Sequence, residues 1–535
     1  MLDAYNKCVN LSFIKKQEIM SAKILWVDDE IDLLKPHIIF LEQKGYNVDT
    51  AVSGSEAIDM VEDEDYDIIF LDENMPGLTG IETLEKLKVS SPAIPIVMIT
   101  KSEEESIMED AIGSNIADYL IKPVKPNQIL LSLKKNLENK KLVSEKTTMA
   151  YQQEFQKISM EIGNNLDFKE WADIYKKLVR WELNLAKSQD SGMDEVLKMQ
   201  KDDANQQFTR YVMSEYQAWV NAKDDDRPVQ SHTLMKKKVL PVLEKNKPTF
   251  LLLIDNLRWD QWKSIQPFFE ESFKLVSEDL FYSILPTTTQ YSRNALFAGL
   301  MPSEIQKKYP KFWLGENDEG SKNQFEAELL GEFLRRFGKD TKYSYHKVLN
   351  MSFGKKVVDS LPNLMNNDLN VIVYNFVDML SHARTEMEII KELADDEAAY
   401  RSLTVSWFEH SPLYDMVKYL STKDVNLLIT TDHGSIRVDN PVQIIGDKLT
   451  NTNLRYKVGR SLNYKNKEVY EAKNPDNVFL PKTHMNDAYV FAKTNDFFAY
   501  RNNFNHYAKY YKNTFQHGGV SMEEMLIPFI SMRTK

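Results

Sequence analysis

The chain has 535 residues, more than one hydrophobic core can serve, since cores stop growing near ~250–300 residues; two or three domains are expected. Its 67 Lys and Arg against 79 Asp and Glu leave a net charge of −12, which excludes bulk duplex-DNA binding but not a locally basic pocket for a phosphorylated ligand. At 42% hydrophobic and 11% aromatic the chain can build ordinary cores, and its single cysteine, Cys8, excludes an intramolecular disulfide or a thiolate zinc cluster.

The first residues carry Asp3, Lys7, Lys15, Lys16 and Glu18 and no apolar signal core. No stretch approaches the ~18 apolar residues of a membrane helix. A cytoplasmic location without a membrane span is therefore expected. Because Met20 opens the run MSAKILWVDDE, residues 1–21 read as an extension ahead of the natural start. From there AKILWVDDE (22–30), YDIIFLDENMPG (66–77), IPIVMITK (94–101) and ADYLIKP (117–123) are strands separated by helix-length segments. That alternation predicts βαβ units and a doubly wound parallel sheet over 22–140.

Over 141–245 apolar residues recur at three- and four-residue spacing with few glycines or prolines. An all-α connector bundle is predicted, with Trp171, Trp181 and Trp219 filling its core. From 246 to 535 strand runs return in TFLLLID (249–255), NVIVYNFVD (370–378) and VNLLITTDHG (425–434), predicting a second parallel sheet between helices. The fold class is thus multidomain α/β.

In the first domain Asp28 and Asp29 follow one strand, Asp72 a second, Thr100 a third and Lys122 a fourth. Ligands of a doubly wound sheet bind outside the carboxyl ends of its strands, so these side chains converge. Clustered carboxylates call for a hard cation such as Mg²⁺, beside which Asp72 can attack a phosphoryl donor while Lys122 and Thr100 hold the phosphoryl oxygens. Together VDDE, LDENMPGLTG, the strand-end threonine and YLIKP resemble response-regulator receiver domains, which have a flavodoxin-like fold. The resemblance implies that Asp72 is the phosphoacceptor. It makes Asp29, Asp72 and the Asn74 carbonyl Mg²⁺ ligands, has Asp28 act through water, and pairs Thr100 with Tyr119 as the switch. It also implies a sensor histidine kinase as phosphodonor and a homodimer on phosphorylation.

In the last domain Asp255, Asp378 and Asp432 each end a strand. His382 stands one helical turn beyond Asp378, His433 follows Asp432, and His517 precedes two glycines near the chain end. Mixed carboxylate and imidazole donors suit Zn²⁺, and two such ions can clamp an in-line phosphoryl displacement. A hydroxyl cluster, LPTTTQYSRNALFAGLMP (285–302), supplies a candidate nucleophile at the start of a helix.

These residues resemble the alkaline-phosphatase superfamily, an α/β/α fold, in its PglZ branch. The resemblance assigns one zinc to Asp378, His382 and His517, and a second to Asp255, Asp432 and His433 with the nucleophile. The superfamily spacing of ten residues before a helical glycine, here Gly299, points to Thr289, with Thr288 as the alternative. Arg293, one turn on, is expected either at the phosphoryl group or in a surface salt bridge. Without a cysteine in the loop the sulfatase route is closed, and a threonine is more typical of the phosphodiesterase relatives. His484, His506 and Asn323 lie in the same domain without an assigned role.

A receiver, a helical connector and a PglZ domain in this order resemble response regulators linked to type IX secretion and gliding. The expected function is a phosphorylation-controlled, zinc-dependent phosphodiesterase acting on nucleotide or oligonucleotide diesters. One alternative is a dimeric scaffold with structural zinc that binds a sigma factor or a secretion component. Another is a phosphomonoesterase on the same fold.

Overall fold

Each apolar run that ends in an acid becomes a buried strand, and the two domains built from them differ in how the last strand returns. The computed structural model describes residues 22–92, 94–101, 116–188, 191–222, 227–243, 247–338, 340–394, 396–446, 450–482 and 484–535. The extension at 1–21 lies outside the described residues. The chain divides into two units, Met1–Ala150 and Tyr151–Lys535.

In the first unit β1 (Lys23–Val27), β2 (Asn47–Ala51), β3 (Ile68–Asp72), β4 (Ile96–Thr100) and β5 (Asp118–Ile121) form one sheet in the order β2-β1-β3-β4-β5. Every neighbouring pair is parallel. Helices α1 (Lys35–Gln43), α2 (Gly54–Asp63), α3 (Gly80–Ser90) and α4 (Pro126–Leu133) cover it. Alternate residues of the central strands serve opposite faces. Leu25, Val27, Ile69 and Leu71 pack with Leu84 and Leu87, while Ile24, Trp26, Ile68 and Phe70 pack with Leu41, Ile129 and Leu133. Burial on both faces explains why the strands read as continuous apolar runs. A Cβ on Gly80 would lie 2.4 Å from the Asp72 carbonyl oxygen, so glycine lets the start of α3 close on the end of β3.

Long helices α5 (Asn139–Ile162), α6 (Phe168–Ser188) and α7 (Ser191–Asn221) follow in the chain, and the second unit takes α5 from Tyr151 onward. Its sheet comprises β6 (Thr249–Ile254), β7 (Phe273–Tyr282), β8 (Tyr343–Val348), β9 (Leu369–Tyr374), β10 (Asn426–Thr430) and β11 (Leu526–Thr534), in the order β7-β11-β10-β6-β9-β8. Helices α8 (Trp259–Glu270), α9 (Glu326–Arg336), α10 (Phe376–Glu386) and α11 (Glu397–Glu409) connect or flank these strands. The sheet is mixed rather than purely parallel, because β11 runs antiparallel to both β7 and β10. After β10 the chain builds smaller ladders, including Ile436–Arg437 with Phe515–Gln516, and re-enters from the edge it left, which reverses the strand.

The connector helices share one hydrophobic core with this sheet. Trp219 meets Tyr282 of β7 edge-to-face at 5.2 Å between ring centroids, and Phe208 stacks on the same tyrosine at 6.2 Å. The Tyr282 hydroxyl donates to the Phe168 carbonyl at 2.8 Å, and the Tyr216 hydroxyl accepts from Leu285 N at 2.8 Å. Trp181 packs on Tyr151 at 5.4 Å, within the helices themselves. Among the described residues no helix is long and apolar enough to cross a membrane.

Because Trp219 belongs to both layers, Trp219→Ala is expected to destabilise the whole second unit by about 3–5 kcal/mol. A denaturant titration followed by helix and sheet signals should show one shifted transition; a helical transition that moves alone would contradict the shared core.

Candidate functional site

The reversal of strand order between β1 and β3 opens the ligand-binding edge of the first sheet. Ligand atoms of Asp28, Asp29 and Asp72 lie within 4.8 Å of one another there. Lys122, just past β5, bridges Asp28 Oδ2 at 2.9 Å and Asp72 Oδ1 at 2.8 Å through its ammonium group. Burial raises the pKa of Asp72, Lys122 pulls it down, and Asp28 and Asp29 add to the rise. Burial disfavours the Lys122 charge, yet the two aspartates win and hold its pKa above the ordinary lysine value. Thr100 is buried at the end of β4, and its hydroxyl donates to the Glu73 carboxylate. Tyr119, on the neighbouring strand, is 41% exposed, and Asn74 lies exposed on the loop after β3.

In the second unit three adjacent strands, β10, β6 and β9, lead into the acids at one edge. Asp255 follows β6, Asp378 and His382 sit one turn apart on α10 after β9, and Asp432 and His433 follow β10. Gly434 comes next because a Cβ there would lie 2.1 Å from the Glu523 carbonyl oxygen. Ligand atoms of Asp255, Asp432 and His433 fall within 4.8 Å of one another, as do those of Asp378, His382 and His517. The two sets abut: the His433 and His517 rings stack with centroids 4.2 Å apart. His382 is largely exposed, whereas Asp255, Asp432 and His433 are fully enclosed, so the cluster opens to solvent on the His382 side.

The donors fit metal ions. Asp255 Oδ1, Asp378 Oδ1 and Asp432 Oδ2 are buried carboxylate oxygens without a hydrogen-bond partner. Such atoms are costly unless a cation satisfies them. Burial drives the Asp255 pKa well up against the pull of Arg293. Burial also opposes ionisation of Asp432, but His433 and Arg293 outweigh it and lower its pKa. Asp378 is lowered in the same way by His517, which is raised in turn by Asp378 although burial works against it. Burial lowers His433 to about 4, leaving a neutral imidazole with a lone pair to give at pH 7.

The three threonines occupy distinct environments. The Thr287 hydroxyl donates to the Gly519 carbonyl at 3.0 Å and accepts from Gly518 N at 3.0 Å. Thr288 is buried, and its hydroxyl has no hydrogen-bond partner. Thr289 is half-buried, with Oγ1 3.1 Å from His433 Nε2. Gly299, in the left-handed conformation at φ 58°, ends the short helix Asn294–Ala298 that follows the loop.

Arg293 corrects one of the two expectations from spacing: it makes no surface salt bridge but pairs with buried carboxylates, while its Nη2 is buried without a hydrogen-bond partner. Its fully buried guanidinium lies 3.0 Å from Asp255 Oδ2, 2.7 Å from Glu326 Oε1 and 3.7 Å from Asp432 Oδ2. Glu326, the first residue of α9, also accepts from Tyr345 and from Asn323 Nδ2 at 2.8 Å, and pairs with Lys347 at 3.3 Å. This gives Asn323 a supporting place. His484 meets Arg460 in a cavity lined by Tyr291, Glu316 and Tyr489, and His506 stacks on Tyr510 of an exposed helix. Sequence reasoning missed Glu326, because an acid in the first turn of a helix reads as ordinary dipole compensation. It also missed Asn205 of α7, whose side chain accepts from Met522 N at 2.8 Å and donates to Glu523 Oε2 at 2.9 Å. That amide braces the segment between His517 and β11 from the connector side.

A parallel sheet with an acidic switch point and a mixed sheet with a histidine–aspartate edge define a response regulator with an alkaline-phosphatase-like output domain. The family described as the BREX system PglZ alkaline phosphatase-like domain matches residues 234–532, the response regulator receiver domain matches 24–134, and the PorX response regulator linker domain matches 141–220. The chain therefore belongs to the PglZ family and has the domain order of a PorX-type response regulator. It is 34% identical over 120 residues to the alginate biosynthesis transcriptional regulatory protein AlgB of Pseudomonas syringae pv. tomato, covering 22% of this chain and 27% of AlgB. It is 37% identical over 112 residues to the transcriptional regulatory protein ResD of Bacillus subtilis, covering 21% and 46%. The chain thus spans about a quarter to a half of the length of these relatives. The Vibrio cholerae chemotaxis protein CheY4 matches at 31% identity over 22% of this chain and 99% of that one, with a TM-score of 0.21. A receiver domain and a PglZ domain are thus both present in the chain.

Two outcomes test the electrostatics. Arg293→Met leaves Asp255 and Glu326 buried without their cation and is expected to cost the metal-free chain about 3–5 kcal/mol by chemical denaturation. Lys457 is 1% exposed, and burial lowers its pKa to about 7. Between pH 7 and its unfolded value of 10.5 only the unfolded chain binds this proton, so stability rises with pH across that window. Lys457→Met should flatten that rise.

Proposed function

We propose that this chain is a two-component response regulator, phosphorylated on Asp72, whose PglZ domain is a zinc-dependent phosphodiesterase for nucleotide or oligonucleotide diesters. In this reading Asp29, Asp72 and the Asn74 carbonyl hold Mg²⁺ in the receiver, with Asp28 acting through water. Lys122 and Thr100 engage the acyl phosphate, and Tyr119 reports the change on its exposed face. Phosphorylation favours a homodimer, and the output is linked to type IX secretion and gliding. The domain boundaries that go with this are 22–140, 141–245 and 246–535.

One zinc belongs to Asp378, His382 and His517, and the other to Asp255, Asp432, His433 and Thr289. Bound there, the two ions lower the pKa of a ligated hydroxyl and offset charge on the phosphoryl oxygens. Thr289 Oγ1 attacks phosphorus: the Oγ1–P bond forms, the threonine proton leaves to solvent, the P–O bond to the leaving group breaks, and the departing alkoxide takes up a proton from solvent. Water then cleaves the phosphothreonyl ester and restores the hydroxyl. Arg293 and Glu326 hold the Asp255 carboxylate in orientation, while Thr287 and Asn205 hold the segment behind His517.

The observation that carries this reading is the 3.1 Å approach of Thr289 Oγ1 to His433 Nε2, beside the stacked His433 and His517 rings. Thr288 has no such contact, which favours Thr289 in the register.

Zinc-loaded protein is expected to hydrolyse bis-p-nitrophenyl phosphate, and Thr289→Ala to reduce turnover by at least about a thousandfold. Turnover unchanged in the variant would remove Thr289 as nucleophile. No turnover in the zinc-loaded parent would favour the phosphorylation-controlled scaffold instead. Chelation should also lower the melting temperature of the second unit, and added Zn²⁺ should restore it, since a ligand that binds only the folded state stabilises it.

A further inference from the structure

Three segments that deliver metal-ligand candidates run on into a second cavity. Helix α10 passes from His382 to Arg384, the stretch after His433 reaches Arg437, and Lys509 and Lys512 precede His517. The segments are tied together. Asn513 N donates to the Val438 carbonyl at 2.7 Å, Val438 N to the Thr514 carbonyl at 2.9 Å, and Gln516 Nε2 to Thr385 Oγ1 at 3.3 Å. They line an open cleft of about 340 Å³, whose walls carry Arg384, Lys391, Arg437, Lys509 and Lys512. Among the described residues no carboxylate lines it.

Five cations around one cavity are conspicuous in a chain of net charge −12. Like charges gathered this way repel, and a cleft lined by one sign of charge concentrates the opposite ion. The arrangement is also ordered. The Arg384 guanidinium donates to the Ala394 and Asn513 carbonyls and lies 4.9 Å over the Phe515 ring, and the Lys391 ammonium sits 4.7 Å over Tyr510. Lys512 pairs with Asp439 at 2.9 Å. Arg437 Nε is buried and has no hydrogen-bond partner, and Lys509 stands exposed on the wall. Guanidinium forks beside ammonium groups match tetrahedral oxyanions that carry several charges close together.

We propose that this basin binds clustered phosphoryl groups, the phosphates of a polyphosphorylated small ligand. They come either from the further phosphates of the diester being cleaved, a source that rests on the phosphodiesterase reading, or from a separate polyphosphorylated molecule.

Calorimetric titration of the full chain with inorganic tripolyphosphate tests the site. Arg437→Gln and Lys509→Gln are each expected to weaken binding about tenfold, the worth of one charged hydrogen bond, and affinity should fall as salt rises. No binding to the parent chain, or equal binding to parent and both variants, overturns the proposal. Lys509 lies on an exposed helix, so its variant remains informative if Arg437→Gln fails to fold. The source is read from hydrolysis of bis-p-nitrophenyl phosphate beside a linear trinucleotide. A KM raised about tenfold in Lys509→Gln for the trinucleotide alone, with kcat unchanged, assigns the basin to the substrate. Unchanged hydrolysis of both, with tripolyphosphate binding lost, assigns it to a separate ligand. A parent chain that cleaves neither diester fails the phosphodiesterase reading, while the titration still decides the basin.

Discussion

The second unit is organised around the cost of burying three aspartates at the carboxyl edge of three adjacent strands. For Asp255 and Asp432, whose ligand atoms lie within 4.8 Å of each other, a separation of ~4 Å at an effective dielectric near 20 means a repulsion of about 4 kcal/mol before desolvation is counted. Arg293 answers Asp255 and Asp432 from within the protein, and His517 answers Asp378. Glu326, Tyr345 and Lys347 then fix the arginine, so that one guanidinium orients two of the three acids. Asp255 Oδ1, Asp378 Oδ1 and Asp432 Oδ2 still lack a hydrogen-bond partner, and their residues belong to the two groups that could hold a metal ion.

The receiver meets the same problem with a different cation. Lys122 joins Asp28 and Asp72, but its side chain keeps 17% of its surface exposed and ends in a point charge on a flexible stem. Such a group can follow a phosphoryl oxygen when charge is added at Asp72. Arg293 is held on several sides with no exposure and has no comparable freedom. A movable lysine suits a switch, whereas a locked arginine suits a fixed metal site. In the second unit the fixed site is also braced by the connector: Asn205 reaches the segment after His517, and Trp219 packs on β7.

Much of this was legible because strand ends are chemically marked. Runs such as IIFLD and TFLLLID place an acid at the carboxyl end of a strand buried on both faces, so apolar patterning and reactive residue arrive together. The parallel order of the first sheet and the grouping of Asp255, Asp378, His382, Asp432, His433 and His517 followed from that. The antiparallel β11 was not legible, because LIPFISMRT carries no mark of the edge from which it enters. The burial of Arg293 against Asp255 and Glu326 was not legible, since spacing along a helix says nothing about what buries it. Glu326 and Asn205 act across long sequence separations through one carboxylate and one amide, each indistinguishable in sequence from a surface residue.

The charge on the proposed site bears on which phosphoester it favours. The three ligand aspartates and Glu326 exceed Arg293 and Lys347 by two negative charges. Two divalent cations turn that deficit into an excess of two positive charges, with the histidines as neutral donors. The alkoxide of Thr289 uses one of them. The single charge that remains would balance a diester monoanion, whereas a monoester dianion would leave the site net negative. Charge mismatch inside a low-dielectric site is expensive, so under the phosphodiesterase reading proposed above this balance would favour a diester over a monoester.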